Sequence, residues 1–361
     1  MFARKSVLMR TILKLVFPGI IFGLAWNNPD DSNLTGDKSS TTKEWVKDMT
    51  KKYSPDSWDL LMRYENLPAK LEAEAVNGGI ATTKKSVSTF NYLKGRKRID
   101  LLSSMATNVH EIAHGYCNLN IFHYASEKGL KLDFDKAEEF FYYSPSRSFF
   151  ISFPRNSLFP SGELIPEIPG NLRTFRFDPY IDGNTSTQGD GIIGLLGELH
   201  SYYLESKFCF EMLESYKTAE ESDVSGFFEW VHQLQSKMTA FFEFDFFIRE
   251  YLLQMKRKYP AAYRELRSYR TFVEAYSAIH TSYKELINKY LRRINIEMSG
   301  LNASGKAEVN LADDELWVRE GNSNTSIGTP VFSTDREILM PVLESNRYQE
   351  ITGDFPNLRD R

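Results

Sequence analysis

The chain has 361 residues, of which 42% are hydrophobic and 14% aromatic, a composition typical of a protein with a substantial core and not of a disordered chain. Its length allows one large domain or two smaller ones. The 44 basic and 48 acidic residues give a formal net charge of −4, so the composition offers no basic footprint for nucleic acid.

The N-terminal segment, residues 1–25, has the pattern of a signal peptide. A basic leader precedes an apolar run from Leu15 to Trp26, which is shorter than the roughly 18 to 20 residues that a membrane-spanning helix needs. Ala25 is a small residue suited to cleavage after it. We therefore expect a secreted or periplasmic protein with no stable membrane insertion beyond the leader; a retained membrane anchor is the alternative. Residues 26–42, rich in Ser, Thr, Asn and Asp, predict a flexible linker.

The elements that follow lead up to a long helix. Residues 43–64 predict one or two short helices around Pro55, and residues 76–90 predict irregular structure or a hairpin. Asp100 is a suitable N-cap for a helix over residues 101–119, where apolar side chains recur at three- and four-residue steps.

The remaining elements are predicted to be mostly helical. Two short strands are expected at residues 148–153 and 173–177. Long helices are expected at residues 191–219, 226–258 and 261–298, with the last two separated at Pro260. The aromatic residues of the second of these helices cover most of its circumference, which favours a buried helix.

The C-terminal part is expected to be less regular. Residues 299–335 predict a loop region, and residues 336–361 predict a short helix and a tail. The whole pattern indicates a mainly α (α+β) fold with a small inserted β-sheet or hairpin. We expect the catalytic part to cover residues 43–298.

One helical turn carries the candidate chemistry. His110 and His114 are four residues apart, so their imidazoles lie on one face of the helix and can bind the same metal ion. Glu111 lies beside that face, where its carboxylate can take a proton from a zinc-bound water whose pKa the metal lowers to about 7. The alternative is a metal-free helix in which both histidines pair with carboxylates in the core.

The turn from residue 109 to residue 115 resembles the active-site helix of the zincin metallopeptidases. The resemblance implies zinc as the cofactor, the two histidines as its ligands, Glu111 as the general base, a zincin-like helical domain and a peptide or protein substrate. Cys117 and Asn120 stand where the metzincin branch has Gly and His, so that branch is excluded. The gluzincin-like branch, which takes a Glu from a later helix, remains.

Glu198 is the preferred third ligand. Its carboxylate follows seven apolar or glycine residues, and burying it on a helix is costly unless a positive charge such as a metal compensates it. The alternatives closer to the motif are Glu138 and Glu139. It also stays open that none of these three residues is the third protein ligand.

The helix that carries Glu198 offers further candidates. Residues 195–203 resemble a helix of uncharacterised exported bacterial proteins that pair it with the same histidine motif. Tyr202, one turn after Glu198, is the preferred donor to a developing oxyanion. Glu205 can accept the free N–H of a ligand histidine, and His200 is a second supporting residue near the ligands.

These residues together predict an exported zinc-dependent hydrolase, and more specifically a metallopeptidase. The alternative is an exported helical binding protein whose metal site is structural, vestigial or absent. Cys117 and Cys209 are expected to be unpaired, because Cys209 lies too far along its helix from Glu198 to reach Cys117. The other histidines without metal-ligand spacing are expected to be structural: His123, His232 and His280.

Overall fold

The computed structural model describes residues 37–358 apart from residues 184–185, 221, 306, 313–314, 321–322 and 328–333. The predicted signal peptide and most of the predicted linker lie outside the described residues. Within them, no helix combines the length and the apolar character needed to cross a membrane. The fold is mainly α with small antiparallel sheets, as the sequence predicts.

The first two helices confirm the predicted break at Pro55. Helix α1 covers Asp37–Tyr53 and α2 covers Pro55–Asn66, with the proline in the first helical turn, where its missing N–H costs nothing. The linker prediction is wrong for residues 37–42, because α1 begins at Asp37 and continues into the turns that bury Val46.

A hairpin and the long motif helix follow. Strands β1 (Lys70–Glu74) and β2 (Ile80–Lys84) pair antiparallel, so a hairpin is present, but its first strand lies before the predicted residues 76–90. Helix α3 covers Arg98–Lys128 and is longer than predicted at both ends. Asp100 is not the N-cap: it is the third helical residue, and its carboxylate accepts the backbone N–H of the N-cap Lys97 at 3.2 Å.

The inserted sheet is a two-stranded hairpin. Strands β3 (Lys136–Ser144) and β4 (Arg147–Pro154) pair antiparallel. Strand β4 was predicted, whereas β3 was not, so Glu138 and Glu139 lie on a strand and not on a helix.

The strand predicted at residues 173–177 is wrong. That segment follows a 3₁₀ turn and leads into a π-helical turn at Asp178–Asp182. The backbone N–H and the guanidinium of Arg176 both bind the buried carboxylate of Glu243. This two-point attachment replaces the backbone pairing that a strand would need.

A group of helices forms the centre of the fold, largely as predicted. Helix α5 packs against α3, α7 and α9, and α7 is buried along most of its length. The predicted break at Pro260 is confirmed, and there are further breaks at Met212 and Tyr269. The helices are α4 (Ser186–Gly189), α5 (Ile192–Glu211), α6 (Leu213–Ala219), α7 (Asp223–Lys258), α8 (Pro260–Ser268) and α9 (Arg270–Ala303).

The C-terminal part is more ordered than predicted. The loop prediction for residues 299–335 is wrong, since α9 continues to Ala303 and an antiparallel meander follows. Its strands are β5 (Glu308–Ala312), β6 (Glu315–Glu320) and β7 (Ser323–Ile327). Helices α10 (Thr334–Leu343) and α11 (Gln349–Thr352) then lead to a tail whose Phe355 is fully buried.

Candidate metal centre

Two packed helices bring the three predicted ligands together. Helix α3 presents His110 and His114 with their ring centroids 5.0 Å apart, and α5, which packs on α3, presents Glu198. Each residue offers one ligand atom, and these atoms lie within 4.8 Å of one another. The structure thus brings Glu198 beside the two histidines, although the carboxylate is distant from them in the chain.

The carboxylate of Glu198 has an unsatisfied oxygen that faces the histidines. Its Oε2 atom lies 3.3 Å from Nε2 of His114 and 3.7 Å from Nε2 of His110. It is nevertheless buried without a hydrogen-bond partner among the described residues. A buried carboxylate oxygen without a partner is costly, and a cation between the three side chains would satisfy it. The donor set of two imidazoles and one carboxylate suits zinc.

The electrostatics keep Glu198 charged. Burial alone would raise the pKa of its carboxyl, but His114 and a hydrogen bond from Tyr180 help to hold that pKa below its usual value. Burial alone would likewise lower the pKa of His114, but the adjacent Glu198 raises it to about 9. The carboxylate and the imidazole therefore stabilise each other's charged form when they face each other directly.

The other nitrogen of His110 is held by Glu205, as predicted. Its Nδ1 lies 3.1 Å from Oε2 of Glu205, and Nζ of Lys237 lies 3.5 Å from the other carboxylate oxygen. Burial would raise the pKa of Glu205, but Lys237 and the hydrogen bond from His110 lower it to about 2. Glu205 is therefore a charged acceptor that can fix the His110 ring with Nε2 directed away from it.

Glu111 lies on α3 next to the ligand set without belonging to it. Its side chain is partly exposed, and it is not among the residues whose ligand atoms cluster. Its charge adds to the rise in the pKa of His114 and of Tyr92, although burial is the main cause for Tyr92. A partly exposed carboxylate beside the ligands is suited to accept a proton from water.

Tyr202 packs against the centre through its ring. The ring meets His110 edge-on with centroids 4.6 Å apart, and Arg176 lies over it at 4.5 Å. The Tyr202 hydroxyl lies 3.2 Å from the hydroxyl of Tyr180. Tyr180 also reaches Glu198, and sequence reasoning missed it, because it comes from the π-helical turn. The only local feature of the sequence that indicates this turn is Pro179, directly before Tyr180.

His200 has a different place from the one predicted. Its Nε2 donates to the backbone carbonyl of Tyr142 on β3, and its ring lies edge-on against Phe141. Burial lowers the pKa of His200 to about 4, against the effect of that hydrogen bond. His200 therefore ties α5 to β3 and supports the centre only through this packing.

The alternative third ligands lie on β3. Oε1 of Glu138 accepts a hydrogen bond from Ser152 of the paired strand at 3.1 Å. Glu139 is closer to the centre, and burial raises its pKa to about 8 despite the opposing charge of His114. Neither belongs to the clustered ligand atoms of the described residues.

The remaining predictions concern cysteines and isolated histidines. Cys117 and Cys209 are both buried and unpaired, as predicted. Burial raises the pKa of the Cys117 thiol well above its usual value, and its sulfur is not among the clustered ligand atoms of the described residues. His123 and His232 are on the surface, each near a glutamate of its own helix, and His280 is buried beside an aspartate.

The fold and the centre together define a mainly helical protein with a buried two-histidine, one-glutamate site. Comparisons with protein-family models, with curated proteins and with solved structures find no match to this chain.

Proposed function

We propose that this protein is a zinc-dependent hydrolase that acts on peptide bonds. The observation that carries the proposal is the orphaned Oε2 of Glu198, buried between two imidazole nitrogens that face it. A bound divalent cation accounts for this arrangement, and the neighbouring Glu111 supplies a base. The preference for peptide substrates rests on the resemblance of the motif helix to zincin peptidases.

The ligand set favours a catalytic over a purely structural site. Among the described residues, three side chains converge: His110, His114 and Glu198. Structural zinc sites take four protein ligands, whereas catalytic sites take three and leave a position for water or substrate. When bound, the cation polarises the substrate carbonyl and increases the acidity of water at the site.

The residues of the chain take separate roles in the proposed reaction. Glu111 accepts the proton of the attacking water and returns it to the leaving amine. The hydroxyls of Tyr180 and Tyr202, 3.2 Å apart, are the candidate donors for the developing oxyanion. Glu205 keeps the His110 ring in place through Nδ1.

The experiment that tests the proposal replaces the base and keeps the ligands. In Glu111→Gln we expect hydrolysis of a mixed peptide library to fall by about 10²- to 10⁴-fold, while the zinc content measured by mass spectrometry stays at the wild-type level. Glu127→Gln, an exposed change on the same helix, is the matched control and should keep full activity. Full activity in Glu111→Gln contradicts the mechanism.

A further inference from the structure

A largely buried lysine lies behind the glutamate that contacts His110. Lys237 of α7 places Nζ 3.5 Å from Oε1 of Glu205, whose Oε2 accepts the hydrogen bond from Nδ1 of His110 at 3.1 Å. The side chains of Lys237, Glu205 and His110 are 12%, 8% and 9% exposed. Three helices thus contribute one continuous chain of polar contacts that ends on a proposed metal ligand.

The position of Lys237 is fixed by its surroundings. Its Nζ also lies 3.5 Å from Oε1 of Gln233, one turn earlier on α7, and its backbone carbonyl accepts the hydroxyl of Tyr283. Lysine is rarely buried unless it is paired. Its partner here is Glu205, whose other carboxylate oxygen contacts Nδ1 of His110. The ammonium is therefore held where it compensates Glu205.

We propose that Lys237 is a positioning residue for the metal centre. It holds the Glu205 carboxylate on Nδ1 of His110, so that Nδ1 carries the proton and Nε2 presents its lone pair to the metal. Without Lys237, Glu205 is a buried carboxylate that lacks its counter-ion, and such a side chain turns toward other donors. The inference rests on the proposed metal site.

The test compares the zinc affinity of Lys237→Met with that of the wild-type protein, measured by competition with a chelator. Loss of the ammonium is expected to weaken zinc binding by about tenfold, the lower end of the range for partners of ligand histidines. Lys237→Arg, which keeps the charge, should retain most of the affinity. The sign of the change is decisive, because a purely electrostatic Lys237 repels the bound cation and its removal would tighten binding. Unchanged or tighter binding in Lys237→Met overturns the inference.

Two controls separate positioning from general damage. Lys217→Met breaks a largely buried pair with Glu297, at 2.6 Å between α6 and α9, and should leave zinc affinity unchanged. In a Glu205→Gln background, Lys237→Met should cause no further loss, because the two residues act on His110 as one unit. If the two substitutions cause additive losses of zinc affinity, Lys237 and Glu205 act independently, which contradicts the inference.

A measurement on the metal-free wild-type protein tests the inference without requiring that any variant folds. ¹⁵N NMR of the His110 ring should report a protonated Nδ1 and an unprotonated Nε2, and the opposite tautomer overturns the inference. Zinc binding by the wild-type protein with equal binding by Lys237→Met rejects only the role of Lys237. Absence of zinc binding by the wild-type protein rejects the proposed function, and this inference with it.

Discussion

Asp245 and Glu198 are buried carboxylates that each lie beside a histidine, and they are compensated in different ways. Oδ1 of Asp245, on α7, lies 3.2 Å from Nε2 of His280 on α9, and the carboxylate also binds Arg249 of its own helix at 2.9 and 2.7 Å. Oε2 of Glu198 lies at a similar distance, 3.3 Å, from a nitrogen of His114, but accepts no hydrogen bond within the described residues.

The difference indicates what each pair needs. Arg249 carries a permanent charge and a planar pair of donors, so Asp245 is satisfied within the chain. Imidazoles bind a metal only when they present an unprotonated nitrogen, and in that state they bring no charge to Glu198. With neutral imidazoles, the Glu198 carboxylate therefore has no counter-charge from the histidines unless a cation binds between them, whereas Asp245 keeps the charge of Arg249.

The largest expected effect is on the stability of the protein, through the pair of Asp245 and Arg249. Asp245→Asn should lower the free energy of unfolding by about 3–5 kcal/mol, because it leaves the buried guanidinium of Arg249 without its charged partner. Denaturant titration measures this loss. Zinc affinity should stay at the wild-type value, and a parallel loss of zinc binding would remove the contrast between the two sites.

The reciprocal change at the other site should affect zinc binding and not the apo fold. Glu198→Gln removes a ligand, so we expect zinc affinity to fall by more than the roughly 100-fold upper range known for partners of metal ligands. At a pH above about 9, where His114 is uncharged, the metal-free variant should be at least as stable as the metal-free wild type, since the buried carboxylate then has no charged histidine beside it. A large loss of apo stability would show that Glu198 is already satisfied by the histidines.

The last prediction concerns another buried histidine, His200, whose Nε2 bonds a backbone carbonyl and not a carboxylate. In the unfolded chain the pKa of this histidine is about 6.5, whereas burial lowers its pKa in the folded protein to about 4. Between these values the unfolded state binds more protons, so stability falls as the pH decreases from about 6.5 to 4, by up to about 1.4 kcal/mol per pH unit.

His200→Gln should reduce that slope, because glutamine keeps a donor for the Tyr142 carbonyl but does not titrate. Urea unfolding of the metal-free protein across this pH range measures it. His232→Gln is the matched control, since the His232 side chain is 64% exposed, and it should leave the slope unchanged. Identical slopes in wild type and His200→Gln would contradict the assignment.

The sequence allowed the parts of the centre that depend on local spacing to be predicted. His110 and His114 follow from the four-residue repeat of one helix. Glu198 follows from the cost of a carboxylate in an apolar helix, and Glu205 from its place two turns later on the same face. Each of these inferences needs only one helix at a time.

The parts that could not be predicted come from contacts between distant elements. Lys237 reaches Glu205 from α7, and Tyr180 reaches Glu198 from an irregular turn, so no spacing in the chain connects them. A contact between distant elements also explains why the strand prediction at residues 173–177 is wrong. Arg176 of this segment binds Glu243 of α7. The sequence predicts a loop where β5, β6 and β7 form a meander, because these strands are short and lie among turn-forming residues.

The central claim is that His110, His114 and Glu198 hold one divalent cation. Zinc-edge anomalous diffraction from crystals of the zinc-loaded protein tests it most directly. We expect a single strong peak about 2.0–2.2 Å from Nε2 of both histidines and from a carboxylate oxygen of Glu198. A zinc-loaded crystal with no peak between these side chains, or with Glu198 turned away from it, would contradict the claim.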